Sequence, residues 1–401
     1  FQPAKFLGTN DGATIYAEGT PDDIMGQVKP RLLGWPQRGF SPVMVNSALL
    51  LFAFNFNRDG TRAPCLIING VRDGGVALTF GSNYANLAAL IASSPASGHY
   101  NTCVAESLIM LGTTPVYGIT VDASAIYTKA GEVAQQVLLD ADVDESRIDV
   151  DSLAQFKADA NYTVGFYIDG STTARDIVEA CASAAGGFIF PDSNTNYKFA
   201  QLKDPALQEP ELTFKRFTGM VSASPDDGDI ISIKKLENLD AGKGAPCQRT
   251  VMQHSQNFFP QSVSQLSASA TAADQAAFGQ QWLYDYQPTN EALPLRLEII
   301  AQYPLATEID FQEAISVASD ATIENTRRFN LYSMRRDLFE IEVILTEDLA
   351  AIVELGTFVK LQLPRFGLDN GKNFIVTQID VGALSDGEGS EIASLKLVVW
   401  G

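Results

Sequence analysis

The chain reads as an α+β, β-rich multidomain protein, and three features lead there. Its 401 residues exceed the size at which one hydrophobic core usually keeps growing, so about two to four domains are expected. Over most of the length, apolar residues alternate with polar ones or run in short blocks between turn residues. One interval, 124–204, changes to helical spacing. The composition, 46% hydrophobic and 19% charged, supplies apolar residues for several cores.

Residues 1–30 are polar and broken by Gly and Pro, as in Gly8-Thr9-Asn10-Asp11-Gly12 and Gly19-Thr20-Pro21-Asp22-Asp23. They read as an extended N-terminal arm with little core of its own. A β-rich block follows over 31–123, completed by 205–240. Val43-Met44-Val45 leads into 49–56, where Phe52, Phe54 and Phe56 alternate with Ala53 and Asn55 at strand period. Asn57-Arg58-Asp59-Gly60 is a turn. Leu66-Ile67-Ile68 and 75–80 are strands, and Arg72-Asp73-Gly74-Gly75 between them is a hairpin signal. A short helix is expected within 84–93, and 117–122 closes the block as a strand.

Residues 124–204 read as a compact inserted α+β domain. Ile126, Ala130, Val133 and Val137 recur at helical spacing, and Asp151-Ser152 precedes a second short helix through Ala160. A strand is expected over 162–168, with Val164, Phe166 and Ile168 on one face. Ala174, Ile177, Val178, Cys181 and Ala185 mark a helix face, with Ser171 or Thr172 as N-cap and Gly186-Gly187 as stop. Phe188-Ile189-Phe190, a polar turn at 192–196 and 197–202 make a hairpin.

Strands then return at 230–236 and, within a second β-rich domain over 241–401, at 295–300, 338–345, 358–363, 374–379 and 395–400. One helix near 309–330 interrupts them. Phe311, Ala314, Ile315 and Ala318 mark its face, and Arg327-Arg328 lie toward its C-terminal end, where cations suit the helix dipole. No short-period repeat is present.

The formal charge of −20, from 48 acidic and 28 basic residues, repels phosphate backbones and argues against nucleic-acid binding. Cys65, Cys103, Cys181 and Cys247 form no CxxC pair, so a zinc site is not expected, and Cys65 and Cys181 read as buried thiols. No signal peptide and no 18-residue apolar run is visible, and the protein reads as soluble and made in a cytoplasm.

Catalysis needs a nucleophile, an acid–base pair or a metal held in a site. The two histidines, His99 and His254, have no evident nucleophile or orienting carboxylate beside them and read as surface or loop residues. The G-x-S-x-G elbow is absent. Asp22-Asp23 and Asp226-Asp227 are adjacent pairs, and neighbours on extended chain point to opposite sides, so solvated loop carboxylates are expected. The run Asp140, Asp142, Asp144, Glu145 has calcium-loop alternation without the Gly and distal Glu of an EF-hand. Gly74-Gly75 and Gly186-Gly187 form no GxGxxG, and no Walker A sequence occurs. Arg327-Arg328 and Arg335-Arg336 read as solvated helix ends or interface ion pairs. No cofactor, metal or catalytic residue is expected.

Three stretches carry a resemblance. The first is Lys29-Pro30-Arg31-Leu32-Leu33-Gly34-Trp35-Pro36, followed by Val71-Arg72-Asp73-Gly74-Gly75-Val76-Ala77-Leu78-Thr79 and Tyr84. The second is Thr163-Val164-Gly165-Phe166-Tyr167-Ile168, Thr172-Thr173-Ala174-Arg175-Asp176-Ile177 and Gly186-Gly187-Phe188-Ile189-Phe190. The third is Glu354-Leu355-Gly356-Thr357-Phe358-Val359-Lys360-Leu361, Pro364-Arg365-Phe366-Gly367-Leu368 and Phe374-Ile375-Val376. In this order the chain resembles the tail-tip hub proteins of siphophages and gene-transfer-agent particles, themselves similar to the baseplate hubs of contractile phages.

The resemblance implies two tail-tube-like β-barrel domains with the α+β insertion between them, assembled as a homotrimeric ring that converts a sixfold tube into a threefold tip. It implies a virion tail-tip location, with distal tail and tail-tube proteins, the tape-measure protein and a tail fibre or spike as partners. DNA would pass without specific binding, and the chain would insert in no membrane. Larger siphophage hubs continue into a fibre region, whereas this chain ends at Gly401 right after a strand, so it is either a short hub that recruits a separate fibre or a hub without the family's C-terminal part, and host recognition by this chain itself is doubtful. Arg72, Asp73, Gly74 and Gly75, and Pro364, Arg365, Phe366 and Gly367, are the candidate structural turns, with Gly367 supplying a conformation other residues resist. Two other classes stay open. A receptor- or carbohydrate-binding module would expose aromatics, with Trp35, Trp282 and Trp400 as candidates. A cell-wall hydrolase would need a converging acid and base.

Overall fold

The computed structural model describes residues 21–24, 26–192, 194–217, 229–237, 244–289, 294–385 and 391–401. Most of the arm read over 1–30, and the Asp226-Asp227 pair, lie outside these residues.

The first stretch holds Pro21–Ile24 (α1), Arg31–Gly34 (β1), Val43–Asn46 (β2), Leu51–Ala53 (β3), Ile67–Asp73 (β4), Val76–Ala77 (β5), Thr79–Asn83 (β6), Leu87–Ile91 (α2), His99–Cys103 (β7), Leu108–Leu111 (β8) and Ile119–Ser124 (β9). Then come Ala130–Asp140 (α3), Val150–Asp159 (α4), Gly165–Ile168 (β10), Ala174–Ala184 (α5), Gly187–Pro191 (β11), Tyr197–Gln201 (β12), Leu212–Phe214 (β13), Arg216–Phe217 (β14) and Asp229–Leu236 (β15). The remainder holds Arg249–His254 (β16), Ala272–Gly279 (α6), Leu283–Gln287 (β17), Pro294–Gln302 (α7), Glu308–Gln312 (β18), Ala318–Tyr332 (α8), Leu338–Ile344 (β19), Glu347–Ile352 (α9), Phe358–Leu361 (β20), Lys372–Ser385 (β21) and Glu391–Trp400 (β22). The fold is mixed α and β and sheet-rich. It divides into two compact units, one of Phe1–Ile189, Met252–Asp285 and Gln312–Ile323, the other of Phe190–Val251, Tyr286–Phe311 and Glu324–Gly401.

The first unit contains a five-stranded sheet ordered β2-β3-β8-β7-β6, a three-stranded sheet β5-β4-β9 and the antiparallel pair β1-β10. Phe52, Phe54 and Phe56 are buried, and so are Leu51 before them and Ala53 and Asn55 between them. Both sides of this segment therefore face cores, as in a strand covered on both faces. The Phe40 ring stacks on Tyr167 at 4.3 Å and lies 5.5 Å from Phe54, and the Tyr167 hydroxyl donates to the Ser41 carbonyl at 2.8 Å. Emptying such a site, as in Phe40→Ala, typically costs about 3–5 kcal/mol.

α3 packs on α5 in this unit. The cap of α5 is Thr173, not Ser171 or Thr172. Its hydroxyl accepts from the Asp176 amide at 3.0 Å while the Asp176 carboxylate accepts from the Thr173 amide at 2.9 Å, a reciprocal capping box. α4 begins at Val150, one residue before Asp151, because Asp149 caps it by accepting from the Ser152 amide at 2.8 Å.

The second unit is built on a seven-stranded sheet, β13-β20-β21-β22-β19-β15-β14, shaped as a half-barrel. Alternation along β19 puts Phe339, Ile341 and Val343 into the core, opposite Val399, Leu397 and Leu395 of β22. Leu338 and Trp400 pair on the other face, where Trp400 joins Ile375 and Leu331 in a second cluster. Two expectations need correction. Residues 295–300 are helical, within α7, not a strand. Leu295 and Leu297 stand exposed on it while Ile299 is buried. A short apolar run does not separate helix from strand, and Pro294, at the first helical position, favours the helix. The helix expected near 309–330 starts at Ala318. Phe311 lies in β18, and Ile315 bridges Val164 outside any helix. Among the described residues no helix is long and apolar enough to cross a membrane.

Candidate functional site

The hairpin Arg72-Asp73-Gly74-Gly75 is the most heavily tied of the turns singled out. Arg72 pairs with Ala77 and Asp73 with Val76, which leaves Gly74 and Gly75 as the two turn residues, at φ +54° and +83°. Positive φ at both central positions suits the twist of the flanking strands and favours glycine. The Asp73 carboxylate accepts from the Val116 amide at 2.9 Å and the Tyr117 amide at 2.8 Å. The Ser267 amide donates to the Gly74 carbonyl at 2.9 Å, and the Arg72 guanidinium lies 5.2 Å from the Phe278 ring centre. Gly75 sits on Leu266, Phe278 and Ala270. The Asp73 carboxylate and the Gly74 backbone are thus engaged in holding the fold.

In the second unit, Pro364-Arg365-Phe366-Gly367 is a tight turn after β20. The Leu368 amide donates to Arg365 at 3.0 Å, and Leu363 donates to Leu368 at 3.1 Å. Phe366 and Gly367 take φ of +57° and +75°. The Phe366 ring packs 5.5 Å from Phe339, with the Arg365 guanidinium 5.5 Å from its centre.

Among the described residues, the titratable groups singled out in the sequence lie apart from one another. His99 opens β7, and its Nδ1 lies 3.0 Å from the Ser97 carbonyl, so that nitrogen carries the proton. His254, expected at the surface, is buried in β16, with Nδ1 2.8 Å from the Ser255 hydroxyl. That hydroxyl donates its one proton to the Ser316 carbonyl at 2.7 Å. His254 Nδ1 is therefore the donor to Ser255 and leaves the serine unactivated. Burial pushes the His254 pKa down, nearby Asp285 opposes this, and Arg38 adds to it.

The acidic run is spread out and occupied. Asp140 pairs with Arg31, Asp142 with Arg58 at 2.5 Å, and Asp144 caps a short turn by accepting from Ser146 at 2.9 Å. Asp23 accepts from the Ser47 amide at 3.1 Å. Among the described residues no group of three or more His, Cys, Asp or Glu is placed to hold a metal ion. All four cysteines are free and buried. Burial pushes the Cys65 thiol up to about 11 and the Cys247 thiol up to about 12, which removes nucleophilic thiolate at neutral pH. The tryptophans form no exposed cluster. Trp400 is in the core of the second unit, Trp35 donates to Asp122 at 2.8 Å, and Trp282 is half-buried.

Of the arginine doublets, Arg335 is exposed, while Arg327, Arg328 and Arg336 are tied into the second unit. The fully buried Glu324 carboxylate accepts from Arg328 Nε at 2.7 Å and from Arg327 at 2.7 and 2.8 Å. The Arg328 guanidinium also lies 4.4 Å from the Phe311 ring centre. Arg336 donates to Asp204 at 2.9 Å and to the Leu331 carbonyl, 5.0 Å from the Trp400 ring centre. The spacing of Glu324 to Arg327 and Arg328 is the sequence signal for the first cluster. Asp204 is too remote in sequence for any spacing rule to reach. A groove of about 810 Å³ in the same unit is lined by Ala206, Leu207, Leu295, Leu331 and Met334 together with Lys203, Asp204 and Arg327, of which Asp204 is engaged by Arg336 and Arg327 by Glu324.

No protein-family model matches the chain, and no curated protein matches it. Among solved structures it is similar to the tail protein from Neisseria meningitidis MC58, at 9% identity and a TM-score of 0.39, over 71% of this chain and 74% of that one. It is similar to the 43 kDa tail protein of prophage MuSo2 from Shewanella oneidensis, at 10% identity and a TM-score of 0.36, over 87% of each chain. It is also similar to the prophage tail protein gp18 from Listeria monocytogenes EGD-e, at 10% identity and a TM-score of 0.31, over 73% of this chain and 72% of that one.

Proposed function

We propose that this chain is a structural virion protein of a tailed phage, the central hub of the tail tip or baseplate. It joins a sixfold tail tube to a threefold tip and forms part of the DNA-ejection channel. The observation that carries this reading is where the hub-like stretches go. Arg31–Gly34 from the first pairs with Gly165–Ile168 from the second, strand to strand, with Gly34 opposite Gly165. Within the third, Phe358 pairs with Ile375 and Val359 with Phe374. The stretches are used up in framework contacts, and their charged residues tie turns and helices. That suits an assembly subunit.

In this reading three copies form a ring, and the half-barrel of the second unit contributes a tube-like domain. The tube, the tape-measure protein and a fibre or spike are its neighbours. Three copies carry three times −20, or −60, formal charges. Carboxylates facing the channel would keep passing DNA from adhering. Deleting the coding sequence from a producer strain should leave particles without complete tails, and supplying it in trans should restore them. Infectious particles of normal tail morphology from the deletion strain would overturn the reading, as would peptidoglycan or polysaccharide turnover by the purified chain.

A further inference from the structure

From Gly74 to Ala105 the sequence contains no Asp, Glu, Lys or Arg. Charged residues make up 19% of the chain, so about six would be expected in a run of that length. The run is not simply core. All five residues of β6 are exposed, and so are Ala96, Ser97 and Gly98 in the loop before β7. These pieces adjoin one another. The Thr79 amide donates to the Gly98 carbonyl at 3.0 Å, and the Gly98 amide donates to the Thr113 hydroxyl at 3.0 Å. Thr113 and Thr114 extend the uncharged, exposed face.

β6 also ends its sheet. Its outer edge has no strand partner among the described residues. Proteins usually blunt such edges with lysine, proline or a covering element. Thr79-Phe80-Gly81-Ser82-Asn83 has none of these, and Phe80 is 52% exposed. The strand is nevertheless held in place. The Asn101 side chain accepts from the Ser82 amide at 3.0 Å, and the Asn83 side chain accepts from the Thr102 hydroxyl at 3.0 Å and the Val104 amide at 3.1 Å. A side chain at Gly81 would collide with the Asn101 carboxamide. Buried polar groups are thus committed to fixing a strand that itself places nothing in the core.

Charge selects the occupant. A basic partner would be drawn to the acidic remainder of the surface. A partner that is itself strongly acidic can dock only where carboxylates do not confront one another. The partner of that description on hand is another copy, at −20. We propose that β6 and the uncharged face beside it form a contact between copies of this chain, the edge of β6 pairing with a strand of the second copy. This rests on the hub reading only for ring closure. Pairing of β6 with β2, the other end strand of the same sheet, would be head-to-tail and could close a ring, whereas β6 against β6 would give a twofold dimer.

The test is the mass of the full chain by light scattering over a range of protein and salt concentrations, for the wild type, Thr79→Lys, Ser82→Lys and the control Ser171→Lys. The wild type should associate, and more strongly as salt screens the repulsion between acidic copies. Each edge lysine should weaken association at least about tenfold with unchanged thermal melting, and the control should behave as wild type. Hydrogen exchange at 79–83 should slow as the wild type associates, a readout that needs no variant. A trimer lost in the edge variants supports this contact and the ring together. A dimer lost in them supports the contact and counts against the ring. Edge variants that associate like the wild type overturn the contact, and a trimer among them leaves the hub reading standing on another surface. A wild type that stays monomeric at every salt and protein concentration also overturns it.

Discussion

Gly34 lies so close to Val164 that a Cβ at position 34 would overlap the Val164 carbonyl, the same carbonyl that accepts from the Trp35 amide at 2.7 Å. Gly34 also has φ +68°. Gly34→Ala therefore meets two penalties at once, about 1–2 kcal/mol for a left-handed non-glycine residue and the displacement of a backbone bond. The expected outcome is a loss of about 3 kcal/mol or more, with part of the protein insoluble. Thermal melting of the soluble fraction decides it, and a melt like that of the wild type would show that β1 can part from β10 without cost.

Gly75 meets its neighbours less abruptly. Its φ is +83°, and a Cβ there would stand 3.1 Å from Leu266 and 3.4 Å from Phe278. Gly75→Val adds a branched side chain to that space. Gly98→Ala is the comparison, since Gly98 has φ +74° with nothing near its missing Cβ. Gly98→Ala should cost about 1 kcal/mol through backbone strain alone, and Gly75→Val about 2–3 kcal/mol through strain and overpacking. Equal melting temperatures for the two would mean that the 266–278 segment yields freely.

Glu324 gathers two arginines in the second unit, and the Arg328 side chain is only 4% exposed. Removing the carboxylate breaks a buried ion pair, which typically costs about 3–5 kcal/mol. Glu324→Gln should therefore destabilise far more than Glu179→Gln, which breaks only the exposed Arg175 pair and should leave the midpoint near that of the wild type. Denaturant titration of both variants measures the difference. Similar midpoints would mean that water reaches Arg328.

These residues also mark how far the sequence could be read. Gly74 and Gly75 were legible because a two-glycine turn between strands leaves few geometries, and the pattern 174–185 was legible because one helix face is consistently apolar. Residues 295–300 were not, since Leu295, Leu297 and Ile299 alternate as a strand would, and the run is too short for period alone to decide. The cap of α5 was missed by one residue because Ser171, Thr172 and Thr173 are all competent caps. Only Asp176, three residues after Thr173, distinguishes them. Burial of His254 was invisible because the groups around it come from distant sequence: the Ser316 carbonyl that takes the Ser255 proton, and the nearby Asp285. Nothing in the first and second of the three stretches said that Arg31–Gly34 would pair with Gly165–Ile168.

His254 makes stability depend on pH in a definite direction. In the folded protein it is 3% exposed and donates through Nδ1 to Ser255, and burial holds its pKa below the ordinary value near 6.5. On acidification the unfolded chain takes up the proton first. The contribution of neutral His254 is thus fully present above about pH 6.5 and is lost progressively as pH falls toward the lower folded value. Melting temperature should decline from about pH 7 to about pH 5, a window above the ordinary carboxylate range. His254→Gln keeps a donor but cannot titrate. It should melt lower than the wild type at pH 7 and show a shallower decline toward pH 5. Parallel curves for the two proteins would mean that the acid sensitivity arises elsewhere and that the folded site accepts the imidazolium, with Asp285 offsetting both burial and Arg38.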